Sequence, residues 1–295
     1  MQVADSLPMG RLRVSAVLVI FALYACGGPF SRTLLPEAFV PSARSASVRL
    51  VGYWDGWSRN NLVRTPAGVT EIPIAFGFLR GHTIVMTNGN LTRGYVTAAD
   101  IRALHARGVA VTLSLGGWSP KTSFKFDGDV AGYEASLATV LATLPFDGVD
   151  FDLEHGSAAG RVKTLSTLIV ATRAYFNSIG KPDAVITYPA WNRPTDYGDN
   201  EILTNPKVAA ALSWVNVMSY EKADVAKAES DVAAYGAIFD KSRLNLGVDI
   251  DDNPHASIAQ LGALSQWVRA NGYGGVMVWT VNSMTRQQMK ALRGS

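Results

Sequence analysis

Asp150, Asp152 and Glu154 stand at alternate positions of Phe146-Asp147-Gly148-Val149-Asp150-Phe151-Asp152-Leu153-Glu154. In an extended strand, alternate side chains share a face. The three carboxylates therefore point one way, and Val149, Phe151 and Leu153 point the other. Three acids so close cannot all ionise without cost, so their pKa values must spread apart. One site can then hold a protonated acid beside an anion, which is what acid–base chemistry needs. The titrations would belong to the cluster rather than to single residues. A solvated acidic strand end and a cation site are the alternatives. Calcium takes about six to eight oxygens, mostly from a loop, and a strict strand array supplies few.

A second segment, Val111-Thr112-Leu113-Ser114-Leu115-Gly116-Gly117-Trp118, ends in two glycines that allow close approach of a backbone or ligand. On its own, Gly-Gly after a strand equally marks a turn. Trp54, Trp57, Trp118, Trp191 and Trp279 all fall at or just after the ends of apolar runs. Any one of them alone reads as core, but aromatic faces bury sugar C–H faces at little entropic cost, and five at one rim support a sugar ligand. Trp214 and Trp267 fit core packing. Tyr188, Trp191 and Asn192 are candidate subsite residues. His155 faces solvent or a neighbouring loop, or else tunes the acid beside it. Asp249-Ile250-Asp251-Asp252-Asn253 lacks the Gly and Glu of an EF-hand and reads as a solvated loop.

The elements that must position these groups are visible as eight short apolar runs. They cover residues 48–54, 72–78, 109–115, 148–153, 184–190, 213–219, 243–249 and 274–280. Near-continuous apolar runs suit strands buried on both faces. Amphipathic stretches lie between them. Thr97 and Asp100 open one and Gly108 closes it. Ile258, Leu261, Leu264, Trp267 and Val268 recur at helical spacing in residues 257–271. The first helix, within residues 58–70, is poorly defined. Eight strand–helix units predict an α/β fold, a single (β/α)8 TIM barrel over residues 47–295. A doubly wound sheet would carry a Gly-rich phosphate turn after its first strand, where this chain has bulky aromatics. The roughly 24 residues between the seventh and eighth runs hold one helix and no inserted domain.

Composition narrows the function. Of 295 residues 48% are hydrophobic and 17% charged, enough for a sizeable core and unlike a disordered chain. The net charge is +3 with no basic run, which sets nucleic acid aside. One cysteine and four histidines without a His-x-x-x-His pair exclude a disulfide framework and argue against a metal centre. Arg11 and Arg13 precede an apolar stretch, residues 14–25, too short to span a bilayer and suited to a secretory signal. It ends Leu23-Tyr24-Ala25-Cys26-Gly27, which resembles the lipobox of bacterial lipoproteins, with Tyr24 where a smaller residue is usual. The resemblance implies a signal peptide over residues 1–25, lipidation of Cys26, and membrane attachment by that anchor alone. Ordinary secretion by cleavage after Gly27 and an uncleaved anchor are the alternatives. Residues 26–46 read as a flexible tether.

The carboxylate and glycine motifs together resemble glycoside hydrolase family 18, the chitinases and their relatives. Asp147, Gly148, Asp150, Asp152 and Glu154 fill the pattern Asp-Gly-x-x-Asp-x-Asp-x-Glu, and Ser114, Gly116 and Gly117 fill Ser-x-Gly-Gly. Met218-Ser219-Tyr220-Glu221 is similar to the family's Met-x-Tyr-Asp, with Glu in the last place. Val276-Met277-Val278-Trp279-Thr280 is similar to its eighth strand. Gly52-Tyr53-Trp54 and Ala75-Phe76-Gly77-Phe78 fit strands one and two.

The resemblance implies that Glu154 is the general acid and then the base. It implies that Asp152 orients the substrate's N-acetyl group and stabilises the positive ring, sharing a proton with Asp150. Tyr220 would bond the acetamido oxygen, Trp279 would floor the subsite, and Tyr53 and Ser114 would support the Asp pair. Phe76, Met218, Trp118 and Trp191 complete the implied substrate-binding set, with Asp147 structural and no cofactor. The implied partner is an N-acetylglucosamine polymer or oligosaccharide, cut with retention and help from its own acetamido group. An endo-β-N-acetylglucosaminidase acting on N-glycan cores, and a chitin-binding lectin without catalysis, are the alternatives.

Overall fold

The apolar runs become the staves of a closed barrel. The computed structural model describes residues 48–56, 61–86, 96–118, 125–220, 224–251 and 256–294. The expected signal, Cys26, the tether, Trp57, Glu221, Asp252 and Asn253 lie outside the described residues. The strands are β1 (Arg49–Gly52, continued beyond Tyr53 by Trp54–Asp55), β2 (Glu71–Arg80), β3 (Ala110–Gly116) and β4 (Gly148–Asp152). They continue with β5 (Val185–Ala190), β6 (Trp214–Val217), β7 (Leu244–Asp249) and β8 (Gly275–Trp279). Each pairs in parallel with the next, and β8 returns to β1 with Val51 opposite Met277. The fold is therefore a single (β/α)8 barrel. An antiparallel strand, Thr83–Val85, folds back on the end of β2; the sequence reading had not separated it.

The helices are α1 (Ala98–His105), α2 (Val130–Thr143), α3 (Ala158–Ser178), α4 (Asp199–Thr204), α5 (Pro206–Ala211), α6 (Val225–Tyr235), α7 (Ile258–Ala270) and α8 (Arg286–Arg293). Thr97 and Asp100 cap α1 reciprocally, and Ser257 with Gln260 do the same for α7. Each such box satisfies two N–H groups that the first turn leaves free. Leu261, Leu264 and Val268 of α7 are buried, as their spacing predicts. The expected first helix is replaced, among the described residues, by a 3-10 turn at Leu62–Arg64 capped by Asn61. No domain is inserted between β7 and β8; α7 is the one helix there among the described residues.

Alternation splits the packing in two. Outward residues such as Ile72, Ile74, Leu113, Val149, Phe151 and Ile186 join the helices in the main core. The barrel interior is polar toward its base. Glu71 accepts hydrogen bonds from Thr112 Oγ1 (3.1 Å) and Trp214 Nε1 (2.8 Å). Asn245 bridges Asn216 (2.9 Å) and Arg49 (3.3 Å). Trp214, expected in core packing, thus belongs to this basal network. Burial pushes the Glu71 carboxyl up to about 8. Higher in the barrel, Val51, Tyr53, Ala75, Phe76, Phe78, Met218 and Met277 form a separate apolar cluster.

Candidate active site

The registers of β3, β4 and β5 place Ser114, Asp150 and Thr187 side by side across the barrel. Asp150 is fully buried and takes three hydroxyl donors. Tyr53 Oη (2.9 Å) and Ser114 Oγ (2.6 Å) meet its Oδ2, and Thr187 Oγ1 (2.6 Å) meets its Oδ1. Burial pushes Asp150 up to about 6, and the three donors hold it from rising further.

Asp152, one step nearer the mouth, differs. Its Oδ1 is buried with no hydrogen-bond partner among the described residues. Burial raises its pKa well above the ordinary carboxylate range, and the charges of Glu154 and then Asp150 add to that. The shared proton expected between Asp150 and Asp152 is not made as a hydrogen bond here. Both Asp150 oxygens are taken by hydroxyls, and Glu154 is the stronger electrostatic neighbour of Asp152. Glu154 is half-buried at the strand end. Burial pushes it up to about 7, while the Arg161 guanidinium draws it down.

Tyr220 is half-buried over this group, its hydroxyl 3.5 Å from Met277 Sδ. Burial and the Asp152 and Glu154 charges keep that phenol protonated. Trp279, Tyr220 and Trp191 lie against the apolar cluster that contains Met218. The rings of Phe76 and Trp279 stack at 5.8 Å and 13°. Tyr53 meets Trp279 at 5.8 Å. The Ala75-Phe76 and Trp279-Thr280 peptide bonds are cis.

The two glycines acquire a physical reason. Gly116 and Gly117 adopt φ of +122° and +96°. A Cβ on Gly117 would fall 2.7 Å from the Phe76 ring. The Gly117 N–H donates to the Asp152 carbonyl at 2.7 Å, so the turn also pins the end of β4.

Three tryptophans line the rim as expected. Trp118 is 66% exposed, meets Trp191 edge-on at 5.9 Å, and Trp191 lies 4.9 Å from Tyr197. His155 bonds the Trp118 carbonyl and faces its ring, which is the neighbouring-loop contact. Trp54 is not at the rim. It is 2% exposed and packs in the main core, because Tyr53 points inward and the next residue must point outward. Tyr188 is likewise no subsite residue; its side chain is fully buried and bonded to Asp199 and Arg161. Asp147 stands at the base of β4, accepting from the Val111 N–H (2.7 Å) and meeting His105 Nε2 (2.8 Å). Among the described residues, no three His, Cys, Asp or Glu side chains form a metal-ligand group.

The sequence reading missed Thr187, Arg161, Asp199, Tyr197 and Tyr235. Thr187 could have been found, since it lies inward on β5 at the level of Asp150. The others carry no local signal, because a polar residue on a helix or loop reads as solvated.

The family model described as Glycosyl hydrolases family 18 matches residues 49–256. The chain belongs to that family. It is 26% identical over 159 residues to Endochitinase 4 of Metarhizium robertsii, covering 48% of this chain and 46% of that protein. Over 216 residues it is 27% identical to Chitinase 1 of Rhizopus niveus, covering 65% of this chain and 41% of that protein. The match thus spans less than half the length of either relative. The fold is similar to that of class V chitinase from Nicotiana tobaccum, solved as a variant in complex with NAG4. The TM-score is 0.67 at 15% identity, covering 84% of this chain and 98% of that one.

Proposed function

We propose that this hydrolase cleaves β-1,4 linkages in chitin or chito-oligosaccharides with retention, using Glu154 as acid and then base. The observation that carries the reading is the graded environment of the β4 carboxylates. Asp150 is saturated by hydroxyls, Asp152 keeps a buried oxygen free, and Glu154 is poised near 7 at the mouth. A carboxyl that is protonated near neutrality can give its proton to a glycosidic oxygen. The free Oδ1 of Asp152 can accept the acetamido N–H of the sugar and turn its carbonyl toward the anomeric carbon. Attack from within the substrate is effectively intramolecular. Asp152, through that Oδ1, and the Tyr220 hydroxyl then hold the acetamido group in place as charge develops on it. Trp279, stacked on Phe76, offers a flat apolar floor for the reacting sugar. Once the leaving sugar departs, Glu154 is an anion and draws a proton from the attacking water.

The lipobox-like end of the leader supports a further reading, that the enzyme is exported and held at a membrane through Cys26. Residues 26–46 would let the barrel stand off that surface.

The test is product analysis by mass spectrometry, with N-acetylglucosamine hexamer and a high-mannose glycoprotein as separate substrates. Short chito-oligomers are expected from the hexamer. Release of the glycan with one N-acetylglucosamine left on the protein would move the assignment to the N-glycan core. Binding of both with neither cut would make the protein a lectin.

A further inference from the structure

Behind the acid lies a buried ion pair that the reaction itself does not use. Arg161, in the first turns of α3, is 1% exposed, and Asp199, at the start of α4, is fully buried. Their contact is 3.0 Å. A buried guanidinium persists only where its donors find acceptors, and this one finds four. Nε donates to the Leu153 carbonyl (2.8 Å), within the peptide unit that carries Glu154. Nη1 donates to Asp199 Oδ1 and to the Tyr197 carbonyl (2.5 Å), and Nη2 to the Tyr188 hydroxyl (2.8 Å).

Asp199 reaches the other way. Its Oδ2 accepts the Trp191 N–H (2.8 Å) and the Tyr235 hydroxyl (2.9 Å), and Tyr235 also lies 2.7 Å from the Trp191 carbonyl. Tyr197 is the one non-glycine with positive φ (56°) among the described residues. Such a backbone costs about 1–2 kcal/mol and persists only when its surroundings hold it. Its carbonyl is held by Arg161, and its half-exposed ring packs on Trp191. Trp191 Nε1 is buried with no hydrogen-bond partner among the described residues.

We propose that Arg161 is a positioning residue that, paired with Asp199, fixes the Glu154 strand end and the Trp191-Tyr197 aromatic wall as one unit. The acid and the sugar platform then keep a constant separation. This rests on the hydrolase reading above. Arg161 does not touch the reacting atoms in this arrangement. It acts through the Leu153 carbonyl and, at longer range, through its charge. The groups facing Glu154 are Asp152 beneath it, Tyr220 across the cleft, Arg161 behind it and His155 next in the chain.

The experiment compares the full protein with Arg161→Lys, Arg161→Met and Tyr188→Phe. It measures kcat and KM on the hexamer, the alkaline limb of the pH profile, Tm, and amide hydrogen exchange. Arg161→Met should lose about 10²-fold in kcat, as for a small misplacement of the acid. Its alkaline limb should move to higher pH, because a cation that favours the carboxylate is gone. Arg161→Lys keeps the charge but not the fork, so its limb should stay while kcat falls about tenfold. Exchange should quicken together in residues 153–157 and 191–199. Unchanged kcat per folded molecule with a lowered Tm would overturn the proposal, as would faster exchange in only one of the two segments. If neither arginine variant folds, Tyr188→Phe decides by the same exchange test. A wild-type protein that cuts neither substrate would refute the hydrolase reading alone, and the exchange data would still judge the clamp.

Discussion

At the barrel mouth three carboxylates of one strand occupy three environments, and chemistry becomes possible through their differences. Asp150 is buried and satisfied, Asp152 is buried with its Oδ1 unpartnered among the described residues, and Glu154 is half-buried and near 7. A general acid works while protonated, so kcat/KM should fall about tenfold per pH unit above about 7 as Glu154 ionises. Initial rates on a chito-oligomer from pH 5 to 9 check this; a flat profile to pH 9 would remove Glu154 from the role. The i, i+2, i+4 carboxylates were legible because strand periodicity is a strict rule. Their environments were legible only in part: the resemblance implies Tyr53 and Ser114 as supports of the Asp pair, while the third donor, Thr187, comes from β5 and no motif marks it. Trp54 shows the opposite case. Its place beside inward-facing Tyr53 already implied an outward side chain, and position at a strand end was the weaker guide.

Elements supply the geometry that residues cannot make alone. The turn after β3 holds Gly116 and Gly117 at positive φ, sets Gly117 under the Phe76 ring and ties its N–H to the Asp152 carbonyl. Gly117→Ala must both strain its backbone and push the ring that supports Trp279. We expect a stability loss of about 1–2 kcal/mol in urea denaturation, with reduced kcat/KM on the hexamer. Undiminished activity would show that the Phe76-Trp279 stack tolerates displacement. The eight strands, the cap of α1 and the period of α7 were readable, because apolar runs, capping boxes and helical spacing are local. The 3-10 turn at Leu62–Arg64 was not, since residues 58–70 carry no period strong enough to choose a helix. The Arg161-Asp199 clamp joins α3, α4, β5 and α6, and no window of sequence contains it.

For the whole molecule, the polar barrel interior couples stability to pH. Glu71 ordinarily titrates near 4.5 and is pushed up to about 8 in the fold. Between those values the native state holds a proton that the unfolded chain has lost. The contribution is therefore complete below about 4.5 and is lost as pH rises through about 8. Asp150 and Glu154 act in the same direction, up to about 6 and about 7. Thermal unfolding should show Tm falling by several degrees from pH 5 to 8. Glu71→Gln, neutral throughout, should flatten the upper part of that fall. A variant curve parallel to the wild type would mean that Glu71 is ionised in the fold. The proposed attachment of the barrel to a membrane belongs to this scale too, and would require lipidation of Cys26.

The most direct measurement is turnover of N-acetylglucosamine hexamer by Glu154→Gln beside the wild type, with hexamer affinity measured on both by calorimetry. The account predicts a loss of at least about 10²-fold in kcat, the lower end for a general acid, with affinity retained. Equal turnover by the two proteins would contradict it, because the proton delivered to the glycosidic oxygen would then come from elsewhere.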